Sequence, residues 1–405
     1  MTMMKKNYPC YQLIAIGLIF ISIWGCTRFR GTSKTHALKK LHTFQYPEFI
    51  DDIYFDGMEN SINMSLAYLD RLPDGASFTF GKDTYTLSHM KGSLVHFLEF
   101  IRTRPSPLEL KRFIKSDYLV YRSRGKKKGR VLFTGYYEPI LRGSTVKTPE
   151  YPYPVYERPK DHTIIDLSRF SPEFKGKRII GRMADNTIVP YYERREIENP
   201  RLFQDIATPI CWVSNAVDLF FLQIQGSGKI ALTNGNIINV HYHTTNGHPY
   251  RSIGKLLIDR GKIDPSQMSM QRIKTYIEHH PEERAEIFNY NPSYVFFKRE
   301  EDGPFGCLNV KLTPGRSAAT DRSVFPAAAL MYITTQKPIV DGDGDIDDWV
   351  SFGRFMLNQD TGGAIKGPGR CDIFWGNGPY AEIAAGHLRH DGDLFFLVQR
   401  PDTPK

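Results

Sequence analysis

Apolar and polar positions follow three different rhythms along this chain, and each rhythm predicts a different kind of structure. Near the start, Lys5 and Lys6 precede an apolar run over residues 13–24 that closes on Gly25 and Cys26, the layout of a secretory signal peptide. The run is too short to cross a bilayer comfortably as a mature helix. Residues 27–45 are polar and basic, keep no apolar period, and read as a tether. Helical spacing follows over 54–71, 93–101 and 108–113, which predicts an accessory helical layer. The rhythm then shortens. Strand-like segments bounded by Gly or Pro are expected at 130–134, 153–156, 179–180, 219–224 and 237–241. Helices are expected at 250–260 and 270–279, a stop at Asn291-Pro292, and further strands at 294–298, 310–312, 329–334, 352–357 and 394–398. This order fits a mainly β protein in which a six-stranded closed barrel is interrupted by an inserted β-rich domain.

Composition adds a size and a charge to that picture. The chain has 405 residues, 41% of them hydrophobic and 13% aromatic, enough for one large or two ordinary domains around a sizeable core. Lys and Arg exceed Asp and Glu by nine, and the pI is about 9.1. That excess favours an acidic partner: nucleic acid, anionic lipid, or a wall polymer bearing carboxylates. The leader decides among compartments and turns the reading away from nucleic acid. Ile23-Trp24-Gly25-Cys26 resembles the lipobox of bacterial lipoproteins, in which the cysteine becomes the lipidated N-terminus; the alternative is an uncleaved N-terminal anchor. Either way the rest of the chain lies outside the cytoplasm. Thr27 follows Cys26 where many lipoproteins retained at the inner membrane carry an aspartate, so the outer membrane is expected. Cys211, Cys307 and Cys371 show no CxxC spacing and indicate neither zinc nor a disulfide framework. Cys371 reads as a small buried filler.

Several apparent motifs fail on their mechanics. Around Gln225-Gly226-Ser227-Gly228-Lys229, a phosphate loop needs glycine where Gln223 stands and a hydroxyl where Ile230 stands. A serine nucleophile elbow needs glycines at Gln225 and Lys229. The segment is better read as a polar turn that brings backbone close to a ligand. Asp341, Asp343, Asp345 and Asp347 begin like a calcium loop, but Ile346 and Phe352 occupy the positions that need Gly and Glu, so a solvated hairpin turn is expected. His241, His243 and His248 lack the converging acidic ligands of a metal site. Lys126, Lys127 and Lys128 form a basic loop that, in a secreted chain, faces anionic wall or membrane surface. No metal and no cofactor are expected.

The strongest signal is DTGGAIKGPGRCDIFWGNGPYAEIAAG, from Asp360 to Gly386. Two aspartates twelve apart, separated by four glycines, a proline and a lysine, predict a tight loop that can gather both carboxylates. Trp375-Gly376 beyond them offers an aromatic face and open backbone for a sugar ring. The segment closely resembles the catalytic signature of the membrane-bound lytic murein transglycosylase A family, within the three-aspartate domain. Other blocks resemble that family in the same order: TGYYEP at 134–139, YPYPVY at 151–156, QGSG at 225–228, NGHPYRSIG at 246–254, MSMQ at 268–271 and NPSYVFF at 291–297. Together they cover roughly residues 50–400.

The resemblance implies a double-psi β-barrel catalytic domain, split into residues 46–139 and 299–405 with accessory helices. A second β-rich domain at 140–298 is inserted in it, and glycan lies in the groove between the two. It implies cleavage of the β-1,4 bond between N-acetylmuramic acid and N-acetylglucosamine in peptidoglycan, with formation of 1,6-anhydromuramic acid. Asp372 takes the catalytic place, as acid and then base; Asp360 supports it and Asp321 is structural or supporting. An aspartate that holds a proton near neutral pH must be raised above its ordinary value by burial or a neighbouring anion, and Asp360 is the expected neighbour, with Lys366 the group that could oppose the shift. Thr134, Tyr136, Tyr137, Gln225, Ser227, Lys366, Trp375 and Gly376 are the expected glycan-binding residues, and Cys26 the lipidation site. The implied partners are peptidoglycan strands, the membrane through the lipid anchor, and other cell-wall enzymes. Two alternatives stay open: a two-carboxylate hydrolase on the same barrel, with Asp360 or Glu138 facing Asp372, and a wall-binding lipoprotein without activity.

Overall fold

A computed structural model describes residues 34–126, 129–203 and 205–401. The predicted leader, the lipidation site Cys26, most of the tether, and Lys127 and Lys128 of the basic loop lie outside the described residues. Among the described residues no helix is long and apolar enough to cross a membrane.

Six strands close on themselves. Their order is Val131–Tyr136, Arg370–Phe374, Ser317–Ala319, Ile346–Asp360, Leu330–Val340 and Arg389–Gln399, and the last returns to pair with the first. The closing strand is long enough to serve two neighbours: its first half pairs with Val131–Tyr136, through Arg389 opposite Thr134, and its second half with Tyr118–Ser123. Closure leaves these strands no free edge. Register places Met331, Met356 and Phe396 on one face and Tyr332 and Phe355 on the alternate one, where Phe355 meets Phe97 of the helical layer, and all five are buried.

Helices Met58–Leu69, Leu87–Arg102 and Pro107–Asp117 pack outside the barrel. Pro107–Asp117 starts on a capping box in which Ser106 and Glu109 satisfy each other's backbone N–H groups. Met58–Leu69 starts later than its spacing predicted, because Tyr54 and Phe55 adopt positive φ and Gly57 turns left-handed at 72° before the first helical residue. Its buried face carries Ser61 and Ser65, which bind the Gln359 amide: Gln359 Nε2 donates to the Ser61 carbonyl at 2.7 Å and to Ser65 Oγ at 2.9 Å. The helical layer thereby braces the residue next to Asp360. A second brace is the ion pair of Arg316 and Asp51, 0% and 1% exposed, with both guanidinium ends on the carboxylate at 2.7 and 2.8 Å.

Between the barrel strands at 131–136 and 317–319 the chain builds a second sheet, in the order Val295–Glu300, Ile237–Thr245, Ser227–Leu232, Ile140–Ser144, Pro209–Val213 and Tyr153–Tyr156. A small three-stranded sheet, Thr163–Asp166, Arg178–Ala184 and Thr187–Pro190, branches from it.

The expected strand at 219–224 is instead part of helix Ala216–Gln225. A short continuous apolar run fits either element. The flanks decide: Asn215 caps the helix by accepting the Val217 and Asp218 N–H groups, and left-handed Gly226 ends it. Residues 310–312 form only an isolated bridge, Phe305 to Lys311. Helix Pro379–His387, which follows the Gly-rich signature, was not foreseen. It meets helix Met270–His279 of the second lobe, where Gln271 Nε2 donates to the Glu382 carbonyl at 2.8 Å and Lys274 pairs with Glu382 at 2.8 Å. Gly386 permits this approach, since a Cβ there would lie 2.0 Å from Gln271 Oε1.

Candidate active site

The register of four strands assembles the site. Asp372 lies opposite Thr134 on one side and Ala319 on the other, and Ala319 lies opposite Asp360. The two aspartates therefore flank Ala319, two strand spacings apart, roughly 10 Å between backbones.

The Asp372 side chain is 13% exposed and, among the described residues, is held only by other side chains. Arg370 stands two residues earlier and on the same face of the strand. It donates from Nε to Oδ1 at 2.9 Å and from Nη2 to Oδ2 at 3.1 Å, and Nη2 also reaches Thr134 Oγ1 at 3.2 Å. The Thr134 hydroxyl donates to Asp372 Oδ1. Asp360 is held differently. Its Oδ1 accepts the backbone N–H groups of Cys307 and Thr361, each at 2.8 Å, and its Oδ2 accepts the Tyr136 phenol at 2.9 Å. Burial pushes the Asp360 carboxyl above its ordinary value against these donors. Burial and then Asp360 push the Tyr136 phenol well up, so Tyr136 stays a donor.

Asp321 ties the Gly-rich loop to the turn that follows strand Ser317–Ala319. It accepts the Gly367 N–H at 2.6 Å and the Ser323 N–H and hydroxyl at 2.9 and 2.6 Å. Burial works to raise its carboxyl, but these hydrogen bonds, with Lys366 nearby, outweigh burial and hold it below the usual carboxylate range. Lys366 is exposed and its charge acts on Asp321; the cation on Asp372 is Arg370.

Other expected residues fall around this core. Gln225 Oε1 accepts the Tyr137 N–H at 3.2 Å, which ties the end of helix Ala216–Gln225 to the barrel. Ser227 Oγ shares a hydrogen bond with His241 Nδ1 at 2.9 Å, and burial, with Lys298 adding to it, lowers that imidazole to about 4. Tyr137 is buried. Glu138 is 2% exposed and accepts Asn377 Nδ2 at 3.0 Å, with Lys229 at 3.6 Å. Gly376 at φ 90° lies so close to Pro314 that a Cβ would meet it at 2.8 Å.

Trp375 corrects an expectation. It is 8% exposed and packs in the core beside Phe352, Tyr380 and the Arg354 guanidinium, so it offers no open face to a sugar ring. His248 Nε2 bonds the Tyr191 carbonyl at 2.7 Å, and among the described residues no group of three or more His, Cys, Asp or Glu could hold a metal. Cys371 is fully buried beside Asp372. Arg370 and the N–H of Cys307 were missed from the sequence. Arg370 could have been found from strand alternation alone, since it precedes Asp372 by two; the Cys307 contact spans 53 residues and left no local signal.

Residues 132–298 match the family model described as the MltA specific insert domain, and residues 316–398 match the 3D domain. The membrane-bound lytic murein transglycosylase A of Escherichia coli (strain K12) is 34% identical over 276 residues, 67% of each chain, and that of Vibrio cholerae is 30% identical over the same length. Among solved structures, a membrane-bound lytic murein transglycosylase from Agrobacterium tumefaciens superposes with a TM-score of 0.72 at 28% identity, covering 90% of this chain and 98% of that one. The Escherichia coli MltA structure with bound chitohexaose gives 0.70 at 26% identity, covering 92% and 97%. With both family models matched in order and a curated relative above 30% identity over two thirds of its length, the chain belongs to the membrane-bound lytic murein transglycosylase A family.

Proposed function

We propose that the chain is a peptidoglycan lytic transglycosylase that cleaves the β-1,4 bond between N-acetylmuramic acid and N-acetylglucosamine and closes a 1,6-anhydro ring, with Asp372 as its only acid and base. One observation carries the assignment. Asp360 and Asp321 are pinned by backbone N–H groups and Glu138 is sealed from solvent, whereas Asp372 is held by side chains that can turn away. A carboxylate engaged by a guanidinium cannot donate a proton, so the acid step needs Arg370 to release Asp372 as glycan enters. Asp372 then protonates the departing glycosidic oxygen. As a carboxylate it next takes the proton from the muramic acid C6 hydroxyl while that oxygen attacks C1, and the returning guanidinium favours this second role. Bond breaking and bond forming both occur at C1, and no water is consumed.

Asp360 is a positioning residue that fixes Tyr136, and Asp321 fixes the Gly-rich loop. Thr134, Tyr136, Gln225 and Ser227 line the glycan path. The domain division follows the chain: a split barrel at 46–139 and 299–405, of the double-psi type, and an inserted domain at 140–298. Cys26 carries the lipid that holds the enzyme to the periplasmic face of the outer membrane.

The test is mass spectrometry of muropeptides released from purified sacculi by the protein and by Asp372→Asn. Anhydro-ended products, lighter by one water and absent with the variant, support the assignment. Reducing ends would mean a hydrolase, and no release by either protein a binding role.

A further inference from the structure

The three-stranded sheet that branches from the second lobe has one face with no partner among the described residues. Antiparallel register places Ile165 opposite Ile179 and Met183 opposite Ile188, so these four share a face. The other face is turned to the body. Ile180 approaches so closely that a Cβ on Gly247 would meet its Cβ at 2.7 Å, and the Arg182 guanidinium lies 4.3 Å over the Tyr192 ring. Along the strand, Ile179 and Met183 therefore point outward, and they are 46% and 57% exposed. Phe170, in the connection between the first two strands, is 75% exposed. The segment is basic: residues 158–190 hold seven Lys or Arg against four acids, with Arg178 and Arg182 on the body side beside Ile180 and the others outside that row. Among the described residues Arg169, Lys175 and Lys177, in the connection that carries Phe170, form no ion pair, and all three are exposed.

We propose that this sheet docks on an anionic phospholipid surface, with Phe170, Ile179 and Met183 entering the headgroup region and the cations of the Phe170 connection meeting lipid phosphates. Apolar side chains backed by cations are the combination that holds a peripheral element at a membrane interface. The sequence keeps the body near the bilayer. From Cys26 to the first described helix, Lys34–Ala37, there are only eight residues, which reach at most about 30 Å when fully extended. The proposal rests on the anchoring reading above. It adds that the body lies against the bilayer in one orientation rather than swinging on its tether.

The test uses the full chain reconstituted in vesicles of phosphatidylcholine alone or mixed with phosphatidylglycerol, with brominated acyl chains as quencher. Phe170→Trp places a reporter on the face, and Met183→Trp is a second reporter should the first disturb folding. The expected result is at least about twofold quenching of the added emission in the anionic vesicles. Little quenching is expected without the anionic lipid, with Arg169→Glu, Lys175→Glu and Lys177→Glu combined, or in about 0.5 M salt, which screens the attraction. Vesicle flotation is read in parallel and reports the anchor. A chain that floats while its reporter stays unquenched overturns the docking face and leaves the anchor standing; a chain that neither floats nor is quenched overturns both. A reporter unaffected by lipid but shielded from aqueous iodide by purified sacculi would transfer the face to wall polymer.

Discussion

Asp360 and Asp372 lie on strands that share Ala319 as neighbour, yet the two corners are built on different terms. At Asp360 every support is rigid: two backbone N–H groups, a phenol enclosed by burial, and a preceding glutamine fastened to the helical layer. At Asp372 every support is a side chain with freedom to rotate. Equal chemistry thus takes unequal work. A carboxylate that must exchange a proton within one catalytic cycle needs partners that can leave, and a carboxylate that must hold a loop needs partners that cannot.

The sharpest test of that division is Asp372→Asn, which keeps shape and loses the proton carrier. Release of anhydro-ended muropeptides is expected to fall by about 10²–10⁴-fold, with the melting temperature almost unchanged. A comparable effect in the opposite ledger comes from Asp51→Ala. It strands the buried Arg316 guanidinium behind strand Ser317–Ala319 and is expected to cost about 3–5 kcal/mol in urea unfolding. Asp360→Asn falls between these. It puts an amide where two N–H groups and a phenol donate, and a destabilisation of about 1–3 kcal/mol is expected, with slower release but an unchanged anhydro product. A complete loss of product at full stability would place Asp360 in the proton path and break the comparison.

The same contrast explains what could be read beforehand. The Gly-rich signature and the blocks around it were legible because short-range composition dictates them: glycines at tight turns, aspartates at fixed spacing. The barrel strands at 131–136 and 389–399 were expected, at 130–134 and 394–398, from short apolar runs closed by Gly or Pro. Residues 219–224 were read as a strand and are a helix, because four consecutive apolar positions, Leu219 to Leu222, carry no period, and only the cap at Asn215 and the turn at Gly226 select the helix. Trp375 was misread for a related reason. Beside Gly376 it looks like an exposed platform, but its surroundings are Phe352 and Arg354, which sequence distance conceals. The Arg370 pairing, by contrast, needed only the strand's period of two.

A smaller effect tests the second lobe, where Ser227 and His241 face each other across strands Ser227–Leu232 and Ile237–Thr245. Burial, with Lys298 adding to it and Glu300 opposing, lowers His241 to about 4, against an ordinary value near 6.5. Between these values the unfolded chain binds a proton that the folded chain refuses. The contribution of this histidine is therefore fully present above about pH 6.5, declines as the pH falls through that window, and is lost below about 4. His241→Gln removes the titration and keeps a polar partner for Ser227. The difference in melting temperature between the protein and this variant should therefore shift in the variant's favour from pH 7 to pH 4.5, by a few degrees at most. A difference that stays constant over that range would mean that His241 is protonated as readily in the folded lobe as in the open chain, and that the Ser227 pair sits in water rather than behind a dry wall of the glycan path.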